Sequence, residues 1–135
     1  MFAKTNRRTR AVVGVLVTIA MLAVMPAASA HGHRPDVVVA RGTCSDDSTW
    51  ALRLIELRRR IAVAFRVDSD TVGEAWRLQL RHGRRQVFVG VRRSSGPDGF
   101  VGVRRPVRNT RGIDVIRARA VNLETRERCF GRAAI

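Results

Sequence analysis

The chain has no tyrosine, and only 5% of its 135 residues are aromatic. No RNA-reading aromatic motif occurs, so specific nucleic-acid recognition is not expected. Cysteine is limited to Cys44 and Cys129, and histidine to three residues, of which only His82 falls inside the domain read below. No Ser, His and acid constellation follows from such spacing, and a bridged cysteine pair leaves no thiol nucleophile, so a non-enzymatic protein is expected with no catalytic residue assigned. Lysine is confined to Lys4. There is no Pro- or Gly-rich linker, no internal repeat and no low-complexity run, which leaves nothing to divide the chain into several domains.

The amino terminus carries the most specific pattern. Lys4, Arg7, Arg8 and Arg10 form a basic head, Ala11 to Met25 is an unbroken apolar run, and Pro26 interrupts any helix there. Ala28-Ser29-Ala30 then offers small residues where a signal peptidase cuts. Residues 1–30 therefore read as a secretory signal peptide cleaved after Ala30. The apolar run is shorter than the roughly 20 residues a membrane span needs, so no transmembrane segment is expected after signal removal. Arg10 stands where a twin-arginine signal wants an apolar residue, and no cysteine at the cut supports lipidation. The expected product is a secreted, extracellular monomer.

Removing the signal leaves 22 arginines against 11 acids, a net charge of +11. A body so charged attracts polyanions and resists self-association. An even cysteine count in an oxidising compartment reads as one disulfide, Cys44 to Cys129, closing nearly the whole domain. Residues 31–43 read as a loose N-terminal arm and 44–135 as the folded domain.

Within that domain the apolar period is two. Trp50, Leu52 and Leu54 alternate with Ala51 and Arg53; Ile61, Val63, Phe65 and Val67 alternate with Ala62, Ala64 and Arg66; Trp76, Leu78 and Leu80 alternate with Arg77, Gln79 and Arg81. Such alternation places one face on a core and the other in water. Three further β-rich segments, 86–92, 100–107 and 113–121, do not declare their buried face, and a last strand runs over 127–134. Turn chemistry at His82-Gly83, Ser94 to Gly99 and Asn109 to Gly112 separates them. Seven short antiparallel strands in one all-β domain predict a β-sandwich with Trp50, Phe65 and Trp76 in its core.

In length, strand number and the Trp on its third strand, Trp76, residues 44–135 resemble the immunoglobulin and fibronectin type III group. They are also similar to small exported β-proteins of high-GC Gram-positive bacteria. The resemblance implies a fold and no function, since this fold hosts many. One departure is plain: the immunoglobulin disulfide joins the second and sixth strands, whereas Cys44 and Cys129 would join the first and last.

Strands that alternate up and down put Cys44 and Cys129 at the same end, as a disulfide requires. The same alternation sorts charge. Asp46, Asp47, Asp68, Asp70, Glu74, Asp98, Glu124 and Glu127 fall at the disulfide end. Arg58, Arg59, Arg60, Arg84, Arg85, Arg108 and Arg111 fall at the other, with His82 in a solvated turn. Arginine presents a planar fork that takes phosphate or carboxylate bidentately, so this pole is the expected site for cell-wall or other extracellular polyanions.

Three other readings compete. Cleavage after Ala30 would expose His31-Gly32-His33, whose amine, amides and third-residue imidazole suit square-planar Cu(II) or Ni(II). Asp68 to Gly73 opens like a calcium loop but has Gln79 where the bidentate Glu belongs. The clustered carboxylates also admit a weak glycan-cleaving reading, without two fixed at a working separation.

Overall fold

The computed structural model describes residues 34–135. Eight strands run through them: β1 (Val37–Thr43), β2 (Thr49–Leu57), β3 (Arg60–Asp68), β4 (Ala75–His82), β5 (Arg85–Arg93), β6 (Phe100–Arg108), β7 (Val115–Asn122) and β8 (Arg128–Ala134). The described residues contain no helix, and so none long and apolar enough to cross a membrane. The strands form two four-stranded sheets, β1-β2-β3-β6 and β5-β4-β7-β8, and every pairing is antiparallel. The cleavage site and signal reading lie outside the described residues.

The alternation in β2, β3 and β4 lies on the face expected of it. Leu52, Leu54, Ile61, Val63, Phe65, Val67, Trp76, Leu78 and Leu80 are all buried in one cluster. The three undeclared strands add Val101, Val103 and Val107 from β6 and Ile116, Ala118 and Ala120 from β7. From β5 the partly buried Phe88 packs on this cluster, while Val89 and Val91 are exposed. A register shift at Leu80/Arg81 lets β5 change face near its start, which blurs its period.

The strand count is eight rather than seven, because 37–43, expected as a loose arm, form β1. Its register pairs Val37 with Ile55 through to Thr43 with Thr49. Val37-Val38-Val39 is apolar at every position, so it shows no alternation, yet Val38 and Ala40 pack on the core while Val37 and Val39 face outward. Only 34–36 remain outside a strand at this end.

Two seams join the sheets. On one side β1 and β8 lie close together, bridged by the Cys44–Cys129 disulfide with S–S 2.00 Å. Beside it Ser45 N–H donates to Arg128 O at 2.8 Å, and Arg128 N–H donates to Ser45 Oγ at 2.9 Å. Ser48 completes the clasp, giving its N–H and its hydroxyl to the two carboxylate oxygens of Glu127 at 2.9 and 2.7 Å. Trp50 fills the space between these strands, resting on Gly42 of β1 and Gly131 of β8, and is therefore only partly buried, unlike Phe65 and Trp76. On the other side Arg105 of β6 lies 4.9 Å above the Phe88 ring of β5.

Candidate functional site

Strand directions bring the β2–β3, β4–β5 and β6–β7 turns to one end of the sandwich. The first is a two-residue hairpin, since Leu57 pairs with Arg60, and Arg58 at its tip has φ 51°. A side chain in that left-handed region costs about 1–2 kcal/mol, and Gly or Asn is the usual occupant. Arg60 stands directly opposite Arg108 across β3 and β6. Arg58, Arg59, Arg108 and Arg111 line one open hollow of about 870 Å³, together with Glu56. Arg60, Arg84 and Arg85 lie outside its lining, the last two in the neighbouring β4–β5 turn.

Two carboxylates at this end, Glu56 and Asp114, are engaged in building it. Glu56 accepts a hydrogen bond from Asn109 Nδ2 at 2.6 Å, and the same amide donates to Arg58 O at 3.0 Å. Asp114 is buried and accepts from Thr110 N–H at 2.9 Å and from Thr110 Oγ1 at 2.5 Å. His82 Nε2 meets its Oδ1 at 2.5 Å. Burial opposes the charge on Asp114, but the two Thr110 hydrogen bonds and His82 outweigh it and hold the carboxyl below its ordinary value. His82 is thus a half-buried partner of Asp114 and not the solvated turn residue expected. The Thr110 hydroxyl binds the carboxylate rather than the imidazole, so the trio pins the 109–114 loop.

The opposite end carries the disulfide and the turns 44–48, 69–74, 94–99 and 123–127, with the eight expected carboxylates. Several are occupied: Glu127 by Ser48, Asp68 by Arg66 at 2.7 Å, and Glu74 by the Trp76 indole N–H at 3.3 Å. In the calcium-like turn Ser69 Oγ donates to Thr71 O at 3.1 Å and to Gly99 O of the 94–99 turn at 2.9 Å. Among the described residues no group of three or more His, Cys, Asp or Glu gathers in metal-binding geometry. His31 and His33 lie outside those residues.

A second arginine surface was not legible from the sequence. The strands β5, β4, β7 and β8 contain nine arginines and no carboxylate. Arg77 and Arg81 of β4, Arg117 and Arg119 of β7, and Arg128 and Arg132 of β8 are all exposed at positions that alternate with buried ones. Spread over 56 positions of chain they look scattered, yet they share the outer face of one sheet. Two shallow hollows of about 400 and 390 Å³ lie among them.

Fold and surface together define a disulfide-closed all-β sandwich whose arginines stand largely without carboxylate partners. No protein-family model, no curated protein and no solved structure matches the chain.

Proposed function

We propose that this is a small exported, non-enzymatic β-sandwich that binds extracellular or cell-wall polyanions through its arginines. The carrying observation is the pairing balance. Among the described residues only one arginine, Arg66, is in an ion pair, although 11 carboxylates share the domain. Guanidinium groups left free in number, and gathered on turns and on one sheet, are available to phosphate, sulfate or carboxylate arrays. In the pole of Arg58, Arg59, Arg60, Arg84, Arg85, Arg108 and Arg111, four of the seven line an open hollow, and Arg58 stands there in a backbone conformation that favours glycine.

Export after Ala30 fits a disulfide that persists only in an oxidising compartment. The likeness to the fibronectin type III group gains support from strand order. Lettering β2 to β8 as A, B, C, C′, E, F and G gives an ABE sheet facing GFCC′, with β1 added beside A.

The test is retention of the purified protein on immobilised poly(glycerol phosphate). Retention at about 50 mM salt and release by about 500 mM are expected, as counterion release demands. Reversing Arg58, Arg59, Arg60, Arg84 and Arg85 to Glu should sharply weaken retention with an unchanged β-type circular dichroism spectrum. Native protein that passes straight through at low salt contradicts the proposal.

A further inference from the structure

We infer that the outer face of the β5-β4-β7-β8 sheet is itself a binding track for a flexible, base-free chain bearing repeated phosphate or sulfate anions. This rests on the polyanion reading above but assigns a different surface. Its basis is register. Arg81 pairs with Arg117, and Arg117 pairs with Arg132, so three guanidinium side chains stand side by side across β4, β7 and β8. Like charges directly opposite one another destabilise a sheet, and no carboxylate on these strands relieves them. The next rung holds Gln79, Arg119 and Phe130, and the one after it Arg77, Val121 and Arg128.

At about 3.4 Å per residue and about 4.8 Å between strands, the three rungs span roughly 13 Å by 10 Å. That area suits a short stretch of a polymer whose successive charges lie several ångströms apart.

Three of these guanidinium groups are held in place before any ligand arrives. Arg81 Nη2 donates to Arg84 O at 2.8 Å, and Arg117 Nη1 donates to Gly83 O at 3.3 Å. Arg119 lies 5.5 Å above the Phe130 ring. Fixing these long side chains in advance lowers the entropy lost on binding. The bonds to Gly83 and Arg84 also tie the first rung to the β4–β5 turn, so the track continues into Arg84 and Arg85. A second copy of the chain cannot cover this face with its own, because arginine would meet arginine. Phe130 is the one aromatic ring on these three rungs, too few for a run of stacked bases, which favours a polymer without bases.

The experiment compares two charge-matched triple variants of the full exported chain. One is Arg81→Gln, Arg117→Gln and Arg132→Gln; the other is Arg41→Gln, Arg53→Gln and Arg104→Gln on the opposite sheet. Binding is measured to poly(glycerol phosphate), dextran sulfate, oligothymidylate and phosphatidylglycerol vesicles. The first triple should weaken polymer binding by about tenfold or more and make the salt slope shallower by about 2, three lost contacts at about 0.7 each. The second should change affinity no more than about threefold. Whichever of the two polymers binds tighter identifies phosphate or sulfate as the source of the anions. Equal losses in both triples, or tighter binding of oligothymidylate or vesicles than of either polymer, overturns the inference. The single variant Arg117→Thr, with a residue that suits strands, repeats the comparison if the triple unfolds. Failure of the track alone leaves native binding intact and sensitive to the pole; failure of the polyanion reading abolishes binding by the native chain, and the track falls with it.

Discussion

The indole of Trp50 lies against Gly131 so closely that a Cβ added to the glycine would sit 2.9 Å from Cζ3. Gly42 meets the other edge of the ring, where a Cβ would be 2.8 Å from Cζ2. The side chain thus wedges between β1 and β8, next to the disulfide that joins the same two edges. Gly131→Ala is expected to destabilise the protein by about 1–3 kcal/mol, as overpacking does. Urea unfolding should show most of that loss relieved in a Trp50→Leu background, because the two sites are in contact.

The disulfide closes a loop with a sequence separation of 85. Replacing Cys44 and Cys129 by Ala should cost about 4–5 kcal/mol in the chain-entropy account. Denaturant titration of native and double-variant protein checks the value, and a loss below about 1 kcal/mol would mean that the Ser45, Ser48 and Glu127 clasp holds the seam without it.

Legibility of this fold from sequence followed the physics of each segment. Leu52, Phe65 and Leu78 sit in clean alternation, so their strands and buried faces were readable. The placement of Cys44 with Cys129 followed from counting chain reversals. Val37-Val38-Val39 hid β1, because an edge strand apolar on both faces has no period. The Arg81, Arg117 and Arg132 row depends on the register of strands distant in sequence, and no local pattern encodes it. The pole was readable only as a set of turns; that Glu56 and Asp114 brace it, and that His82 is committed to Asp114, depends on contacts between turns far apart in the chain.

Arg117 flanked by Arg81 and Arg132 trades stability for charge. Arg117→Thr should stabilise the protein by about 0.5 kcal/mol, within the range of cross-strand pair effects. Thermal unfolding would register this, and the same variant should bind poly(glycerol phosphate) more weakly than the native chain. A variant both less stable and equally tight in binding would show that the row is neither strained nor used.

Asp114 gives the fold an acid sensitivity of definite sign. Its carboxyl is held below the ordinary value, so its contribution is complete above the unfolded-state pKa and is lost as pH falls through the folded one. Asp114→Asn should therefore be less stable than native protein near neutrality, by about 1–2 kcal/mol, and the gap should narrow at an acid pH where the carboxyl is protonated in the fold. Urea midpoints at both pH values provide the check, with a constant difference as the contrary result.

The most direct measurement is the affinity of the native chain for poly(glycerol phosphate) across a series of salt concentrations. With about six arginines engaged, the logarithm of the affinity should fall against the logarithm of salt with a slope near −4. A slope near zero, or no measurable binding at low salt, would contradict polyanion recognition by these arginines.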